Sequence, residues 1–218
     1  GGVNFYIGNN AHASGTYQSI VPGKEIPYYE RTEPVRLAEQ ESGRKLTLAQ
    51  VSRFWLKKSL SWIRQKPWDY MKLQFKKLIM FWSWYEWPDT VDYYYIQQKS
   101  WVLRYLPIGF GSLSLLAALG LVLLGKRLRG FLPALVFLAA WLVSTVAFFL
   151  FSRYRLPAIP CLLLFAAQPF LRFFDALKQR KKIVAALLAA GILLSLVAPI
   201  AASFKPRLDL VHYNLAVI

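Results

Sequence analysis

The sequence predicts an all-α, polytopic membrane protein with about four transmembrane helices and an N-terminal segment at the outer membrane face. Of the 218 residues, 56% are hydrophobic and 16% aromatic, which is more apolar than a soluble domain of this size. Four apolar runs of about 18–22 residues fill the second half, and a helix needs about 20 residues to cross the hydrocarbon core. The net charge of +16, in a chain this apolar, favours anionic membrane lipids as the partner and not nucleic acid.

Charge divides the chain near residue 105. Residues 1–105 carry 15 Lys and Arg against 9 Asp and Glu, whereas residues 106–218 carry 12 against 2. We therefore predict an extracytoplasmic segment over 1–105, a transmembrane domain over 106–204 and an outer tail over 205–218.

The first 43 residues are rich in Gly, Pro and Tyr without a sustained period, which predicts ordered loop in place of helix. They open with GGVNFYIGNN. Asn and Gly suit tight turns, and Asn and Tyr also supply the neutral donors and acceptors that sugar hydroxyls need. Two interpretations stand: a turn-forming loop, or a cavity lined by Asn4, Tyr6, Asn9 and Asn10.

Two amphipathic helices follow, at about 47–64 and 67–85. Thr47 and Gln50 have the spacing of a capping box, and Pro67 suits the first position of a second helix. The stretch from Arg44 to Lys77 contains ten basic residues and one acidic residue, interleaved with Trp and Phe. This pattern predicts an interfacial pair with its rings at headgroup depth. The alternative is a pair of soluble helices packed on the domain's own core with a solvated basic face.

The apolar runs define the predicted spans, which are 106–124, 131–151, 157–174 and 183–204. The connections 125–130 and 172–182 hold clusters of Lys and Arg, so the positive-inside rule places them in the cytoplasm. Both termini then face outward.

The motif SRYRLPAIP lies between the second and third spans. Two arginines beside hydrocarbon are costly unless they reach water, a carboxylate or a phosphate, and a guanidinium matches phosphate oxygens bidentately. Pro157, at the predicted start of the third span, leaves backbone N–H groups free beside them. Arg153, Tyr154 and Arg155 are thus candidates for a phosphate or pyrophosphate site. The alternative is that the arginines only extend from a helix end into the interface.

Acidic residues near the membrane cluster within and just after the aromatic run FWSWYEWP, at Glu86, Asp89 and Asp92. An acid of this cluster either orients a substrate or pairs with Arg153 or Arg155, and pairing is favoured. Glu86 is in addition a candidate for the lining of the cavity. His12 and His212 lack metal-ligand spacing and Cys161 is the single cysteine. The sequence therefore predicts no metal site, no disulfide framework and no identifiable cofactor.

These stretches together carry a resemblance. GGVNFYIGNN, LTLAQVSRFW, FWSWYEWP and SRYRLPAIP, in this order, are similar to the C-terminal half of bacterial GT-C superfamily membrane glycosyltransferases. More narrowly, they are similar to the protein O-mannosyltransferase-like group in glycosyltransferase family 39 and to the related RgtA/B/C/D-like proteins. The resemblance covers nearly all of residues 1–206. It implies a multi-pass enzyme of the bacterial inner membrane that takes a sugar from a polyprenyl-phosphate donor at the outer face.

The resemblance also implies what this sequence lacks. The catalytic acid of such enzymes lies in an outer loop that would precede residue 1, so we expect a remainder of the parent chain on that side and assign no catalytic residue here. Asp175, in a cytoplasmic connection, and Asp209, in the tail, do not replace it. The alternative function is a non-catalytic membrane scaffold or an anionic-lipid-binding subunit.

Overall fold

The computed structural model describes residues 1–23, 26–89, 92–105 and 109–201, and within them the chain is helical without a β-strand. The helices are α1 Gly2–Gly8, α2 Pro27–Ser42, α3 Leu48–Gln65, α4 Pro67–Trp82, α5 Tyr93–Lys99, α6 Trp101–Tyr105, α7 Phe110–Leu124, α8 Leu132–Val146, α9 Ile159–Lys178 and α10 Lys182–Ala201. Two 3-10 segments, Gly125–Phe131 and Ser152–Ala158, precede α8 and α9. The all-α prediction is confirmed, and the predicted tail 205–218 lies outside the described residues.

The contacts divide the chain into two units that do not follow the change of composition at residue 105. Unit 1 comprises Gly1–Phe81 and Leu142–Phe151, and unit 2 comprises Trp82–Trp141 and Ser152–Ile218. Unit 1 is therefore built from two separate stretches of the chain, the second of which includes the end of α8.

The prediction of loop over residues 1–43 is wrong, because this stretch of unit 1 contains the helices α1 and α2. Helix α1 is short and depends on tertiary contacts: the Gly2 amide donates to Ser52 Oγ at 2.9 Å, and a Cβ on Gly2 would lie 1.8 Å from the Ser52 carbonyl oxygen. Helix α2 begins at Pro27 and ends at Gly43, which adopts a left-handed conformation with φ 69°. The hydrophobic periodicity of this stretch is too weak to indicate a helix, but Pro at its start and Gly at its end are typical of helix termini.

Helices α3 and α4 match their predictions closely. Thr47 Oγ1 accepts from the Gln50 amide at 3.4 Å while Gln50 Oε1 accepts from the Thr47 amide at 2.9 Å, so the capping box is confirmed. Trp55 is fully buried against Ala38 and Val51, and its indole N–H donates to the Pro34 carbonyl at 3.0 Å. The apolar face of α3 thus packs on α2.

Unit 2 contains close packing of α7 on α9. The Cα of Gly120 approaches α9 so nearly that a Cβ there would lie 1.8 Å from the Phe165 carbonyl oxygen. Ala117 and Ala166 are buried along the same helices, which lets the two backbones come together. Helix α10 packs on both α7 and α9.

Among the described residues, two helices are long and apolar enough to cross a membrane. They are Phe110–Val146, which joins α7, the 3-10 segment Gly125–Phe131 and α8, and Ser152–Lys178. The apolar part of α10 is shorter, Lys182–Val197. Four separate spans are therefore not established, because the connection predicted at 125–130 is itself helical. The helix predicted to start at Pro157 instead includes Pro157 in the 3-10 segment that begins at Ser152.

Candidate functional site

The part of the aromatic run that follows Phe81 meets the SRYRLPAIP motif within unit 2. The Ser152 amide donates to the Trp87 carbonyl at 3.1 Å, which fixes the start of the 3-10 segment. Two further contacts, Arg153 with Asp89 and Arg155 with Ser83, continue the junction. Two motifs that are far apart in sequence thus form one site.

Arg153 is the accessible arginine of this site. Its side chain is 56% exposed, and Nη1 forms an ion pair with Asp89 Oδ2 at 2.5 Å. The guanidinium also lies over the Tyr154 ring, 5.3 Å from its centroid. The pairing of an acid in this cluster with an arginine of the motif is confirmed for Asp89.

Arg155 is buried, with only 1% of the residue exposed. Nη1 donates to the Ser83 carbonyl at 3.1 Å, Nη2 donates to Ser83 Oγ at 3.4 Å, and the guanidinium lies 5.0 Å from the centroid of the Phe110 ring. Since a buried cation needs partners that replace its water, these contacts anchor the motif to the aromatic run. The two predicted phosphate ligands therefore lie in different environments, and in this conformation Arg153 alone is open to solvent.

Tyr154 is held by its backbone. Its carbonyl accepts a hydrogen bond from Trp141 Nε1 at 2.7 Å, and its ring supports the Arg153 guanidinium. Tyr154 thereby fixes the position of Arg153, and any contact of its own with a ligand stays a prediction.

Glu86 is half-buried beside a cluster of aromatic rings. Its backbone amide donates to the Tyr94 hydroxyl at 2.9 Å, and the rings of Tyr85 and Tyr94 lie 5.2 Å apart. Burial raises the pKa of Tyr94, so this hydroxyl stays protonated at neutral pH. Asp92 caps α5 by accepting from the Tyr94 and Tyr95 amides at 2.8 and 3.1 Å.

The polar residues of the opening stretch lie in unit 1. Asn4 is exposed, and the Tyr6 ring is half-buried against Trp55 at 4.6 Å. Asn10 closes the end of α1, since Nδ2 donates to the Tyr6 carbonyl at 2.8 Å and Oδ1 accepts from the His12 amide at 2.7 Å. Tyr6 and Asn10 thus have structural partners, and the lining of a cavity by any of these residues stays a prediction.

Asn9 is fully buried and joins several segments of unit 1. Its Nδ2 donates to the carbonyls of Phe5 at 2.9 Å and Ala147 at 2.8 Å. Its Oδ1 accepts from Gln74 Nε2 at 2.8 Å and from Lys77 Nζ at 3.0 Å. The side chain therefore uses both of its donors and both acceptor positions inside the protein.

Lys77 is one of the ten basic residues from which the sequence predicts a membrane-facing surface, and for this residue the prediction is wrong. The residue is fully buried, and Nζ donates to Asn9 Oδ1, to the Val146 carbonyl at 3.2 Å and to the Phe148 carbonyl at 2.6 Å. All three acceptors are uncharged, and burial lowers the pKa of Lys77 to about 7. The signal was available: Leu73, Lys77 and Phe81 recur at helical spacing on the buried face of α4.

No group of three or more His, Cys, Asp and Glu side chains suited to a metal ion occurs in the part of the chain that the structure describes. Comparison with known protein families, curated proteins and solved structures finds no match to this chain.

Proposed function

We propose that this chain forms the donor-lipid side of a membrane glycosyltransferase that takes a sugar from a polyprenyl-phosphate donor at the outer face of a bacterial inner membrane. The observation that supports the proposal is the junction of the aromatic run with the SRYRLPAIP motif, two stretches that carry the resemblance to GT-C enzymes. The contacts come from Ser83 and Trp87 of the aromatic run and from Asp89, which follows it. All three residues contact the 3-10 segment Ser152–Ala158, which forms most of the second motif.

Within the proposal Arg153 binds the carrier phosphate. An exposed ion pair such as Arg153 with Asp89 contributes about 0–1 kcal/mol, whereas a charge-assisted hydrogen bond to phosphate contributes about 1.5–3 kcal/mol. A phosphate therefore displaces Asp89 from the guanidinium with a net gain. Tyr154 holds the guanidinium in place, and Arg155 anchors the motif through Ser83. Positive charge at this point stabilises the departing lipid phosphate during transfer.

The proposed membrane arrangement has four spans, with the basic connections 125–130 and 172–182 in the cytoplasm and residues 1–105 outside. The two helices that are long and apolar enough to span, and the apolar stretch of α10, support insertion in the membrane. The proposal places the turn between the first two spans at the 3-10 segment Gly125–Phe131, within the first of these helices. Labelling of single cysteines in intact cells, on a Cys161→Ser background, tests it. Reaction of Leu128→Cys or Arg180→Cys with an impermeant reagent contradicts the topology.

Binding of a polyprenyl phosphate to the purified chain in lipid nanodiscs tests the site. Loss of one charge-assisted bond predicts about a ten- to a hundred-fold weaker Kd for Arg153→Ala. Arg153→Lys should recover only part, since it keeps the charge but loses the bidentate fork. Asp89→Asn should bind at least as tightly as the unmodified chain, because the competing carboxylate is gone.

The matched control is Arg44→Ala, which removes an exposed arginine that precedes α3 and is far from the motif in sequence. It should leave the Kd unchanged. A Kd for Arg153→Ala equal to that of this control would leave the arginine as an interfacial anchor only, and the phosphate site would be withdrawn.

The alternative function, an anionic-lipid-binding scaffold, is favoured by a different observation. Helix α3 presents exposed Arg53, Lys57 and Arg64. Binding of polyprenyl phosphate that is no tighter than that of phosphatidylglycerol, and equal in Arg153→Ala, would select the scaffold.

A further inference from the structure

Helix α4 is apolar on two opposite sides. One side is buried in unit 1 and contains Leu73, Lys77 and Met80. The other side carries four large apolar residues that are open to solvent, Trp68 78%, Met71 57%, Phe75 64% and Ile79 56% exposed. At 3.6 residues per turn, Phe75 lies about 160° around the helix axis from Lys77. These four residues, which we term the α4 outer stripe, form one continuous line along the helix.

Such a stripe needs a second apolar environment. A helix in a soluble protein normally turns polar residues outward, and contiguous exposed apolar patches mark contact with a partner or a membrane. On α4 the arrangement is reversed, because the cation Lys77 is inside while the outer stripe is apolar. A solvated basic face, the alternative left open by the sequence, does not describe this helix.

The residues beside the outer stripe identify its partner. Lys72 and Lys76 are exposed and lie next to the stripe at about 40° and 80° from Trp68 around the axis. The neighbouring acid, Asp69, is 3.9 Å from Lys72 Nζ. Long lysine side chains beside large apolar groups, with Trp at one end, match the boundary between acyl chains and anionic headgroups.

Helix α3 does not share this property. Leu48, at its first position, is 78% exposed, but the exposed apolar residues along the rest of α3, Leu56 and Leu60, are only 37% and 39% exposed. These two leucines lie among Arg53, Lys57 and Arg64. Of its two tryptophans, Trp55 is buried in the core of unit 1 and Trp62 is half-buried. The two helices therefore differ, although their sequences predict the same interfacial role for both.

We propose that unit 1 docks on an anionic lipid bilayer through the α4 outer stripe alone, with α4 lying in the plane of the interface and Lys72 and Lys76 on headgroup phosphates. The proposal does not depend on the glycosyltransferase assignment, because it concerns a different surface and its test uses no sugar donor.

The test is depth-dependent quenching in the full chain. The chain with Cys161→Ser and Phe75→Cys is labelled with an environment-sensitive fluorophore and reconstituted in phosphatidylcholine vesicles with or without phosphatidylglycerol. A lipid quencher near the headgroups should reduce emission at position 75 at least about two-fold more than at the control position Lys57→Cys on α3. Ile79→Cys repeats the measurement on the same stripe, in case one label disturbs the helix.

The lysines are tested by Lys72→Gln with Lys76→Gln in the Phe75→Cys chain. Each basic residue near an anionic surface shifts the docking equilibrium roughly five-fold. The double substitution should therefore reduce lipid quenching on phosphatidylglycerol vesicles, and added salt should reduce it as well. Equal quenching on neutral and anionic vesicles would overturn the role of anionic lipid. A label at position 75 that is shielded from water but not quenched by lipid would show a protein partner, and a label open to water would show no partner; either result overturns the proposal.

Discussion

Replacing Lys77 by Met should remove a pH dependence from the stability of unit 1. The unfolded lysine has its ordinary pKa of 10.5, whereas burial lowers the pKa in the folded protein to about 7. Between these values the unfolded chain binds a proton that the folded chain has lost, so the free energy of unfolding rises with pH. The buried cation destabilises the fold fully below about pH 7. This destabilisation decreases as the pH rises from about 7 towards 10.5, the ordinary pKa of lysine.

The magnitude follows from proton linkage. The slope is at most about 1.4 kcal/mol per pH unit, so from pH 7.5 to 9.5 the free energy of unfolding should rise by about 2 kcal/mol. Lys77→Met keeps the length of the side chain and removes the titrating group. At pH 7 its net effect should be small, because loss of three hydrogen bonds is offset by removal of a desolvated charge.

The measurement is chemical unfolding in detergent at several pH values, followed by tryptophan fluorescence. Lys76→Met is the matched control, since it removes the adjacent, exposed lysine of the same helix and should keep the slope. Other titrating groups cancel in the comparison of the two variants. The reasoning fails if Lys77→Met and Lys76→Met show the same dependence on pH.

Two further substitutions test the packing and the helix start. Gly120→Ala should destabilise unit 2 by about 1–3 kcal/mol, since its Cβ would meet the Phe165 carbonyl oxygen at 1.8 Å, whereas Gly130→Ala, with nothing within 4 Å, should not; equal melting temperatures in detergent would contradict this. Thr47→Ala should lower the free energy of unfolding by about 1 kcal/mol through loss of the bond to the Gln50 amide, and Thr47→Ser should restore it. An unchanged unfolding midpoint in the Ala variant would show that the cap contributes nothing.

Local signals predicted the elements that carry their own start and periodicity. The capping box at Thr47 and the proline at position 67 located α3 and α4 to within a few residues. Helix α1 gave no such signal, because its seven residues are held by Ser52 and Trp55 from another part of the chain. Contacts of that kind are invisible to periodicity.

Charge alone could not separate solvated, paired and buried cations. Lys77 and Lys76 are adjacent in sequence, yet one is buried on Asn9 and the other is exposed. Arg153 and Arg155 differ in the same way. The position of each around its helix decides the outcome, and that position follows from which residues the helix packs against, which composition does not contain.

The division of unit 1 into Gly1–Phe81 and Leu142–Phe151 has a consequence for biogenesis. During synthesis, Asn9 and Lys77 emerge long before the carbonyls of Val146, Ala147 and Phe148 that complete their hydrogen bonds. Until that later stretch leaves the ribosome, Asn9 and Lys77 can contact each other but lack the backbone acceptors at 146–148. The N-terminal segment can therefore complete its hydrogen bonds only after α8 and the two residues that follow it have been translated.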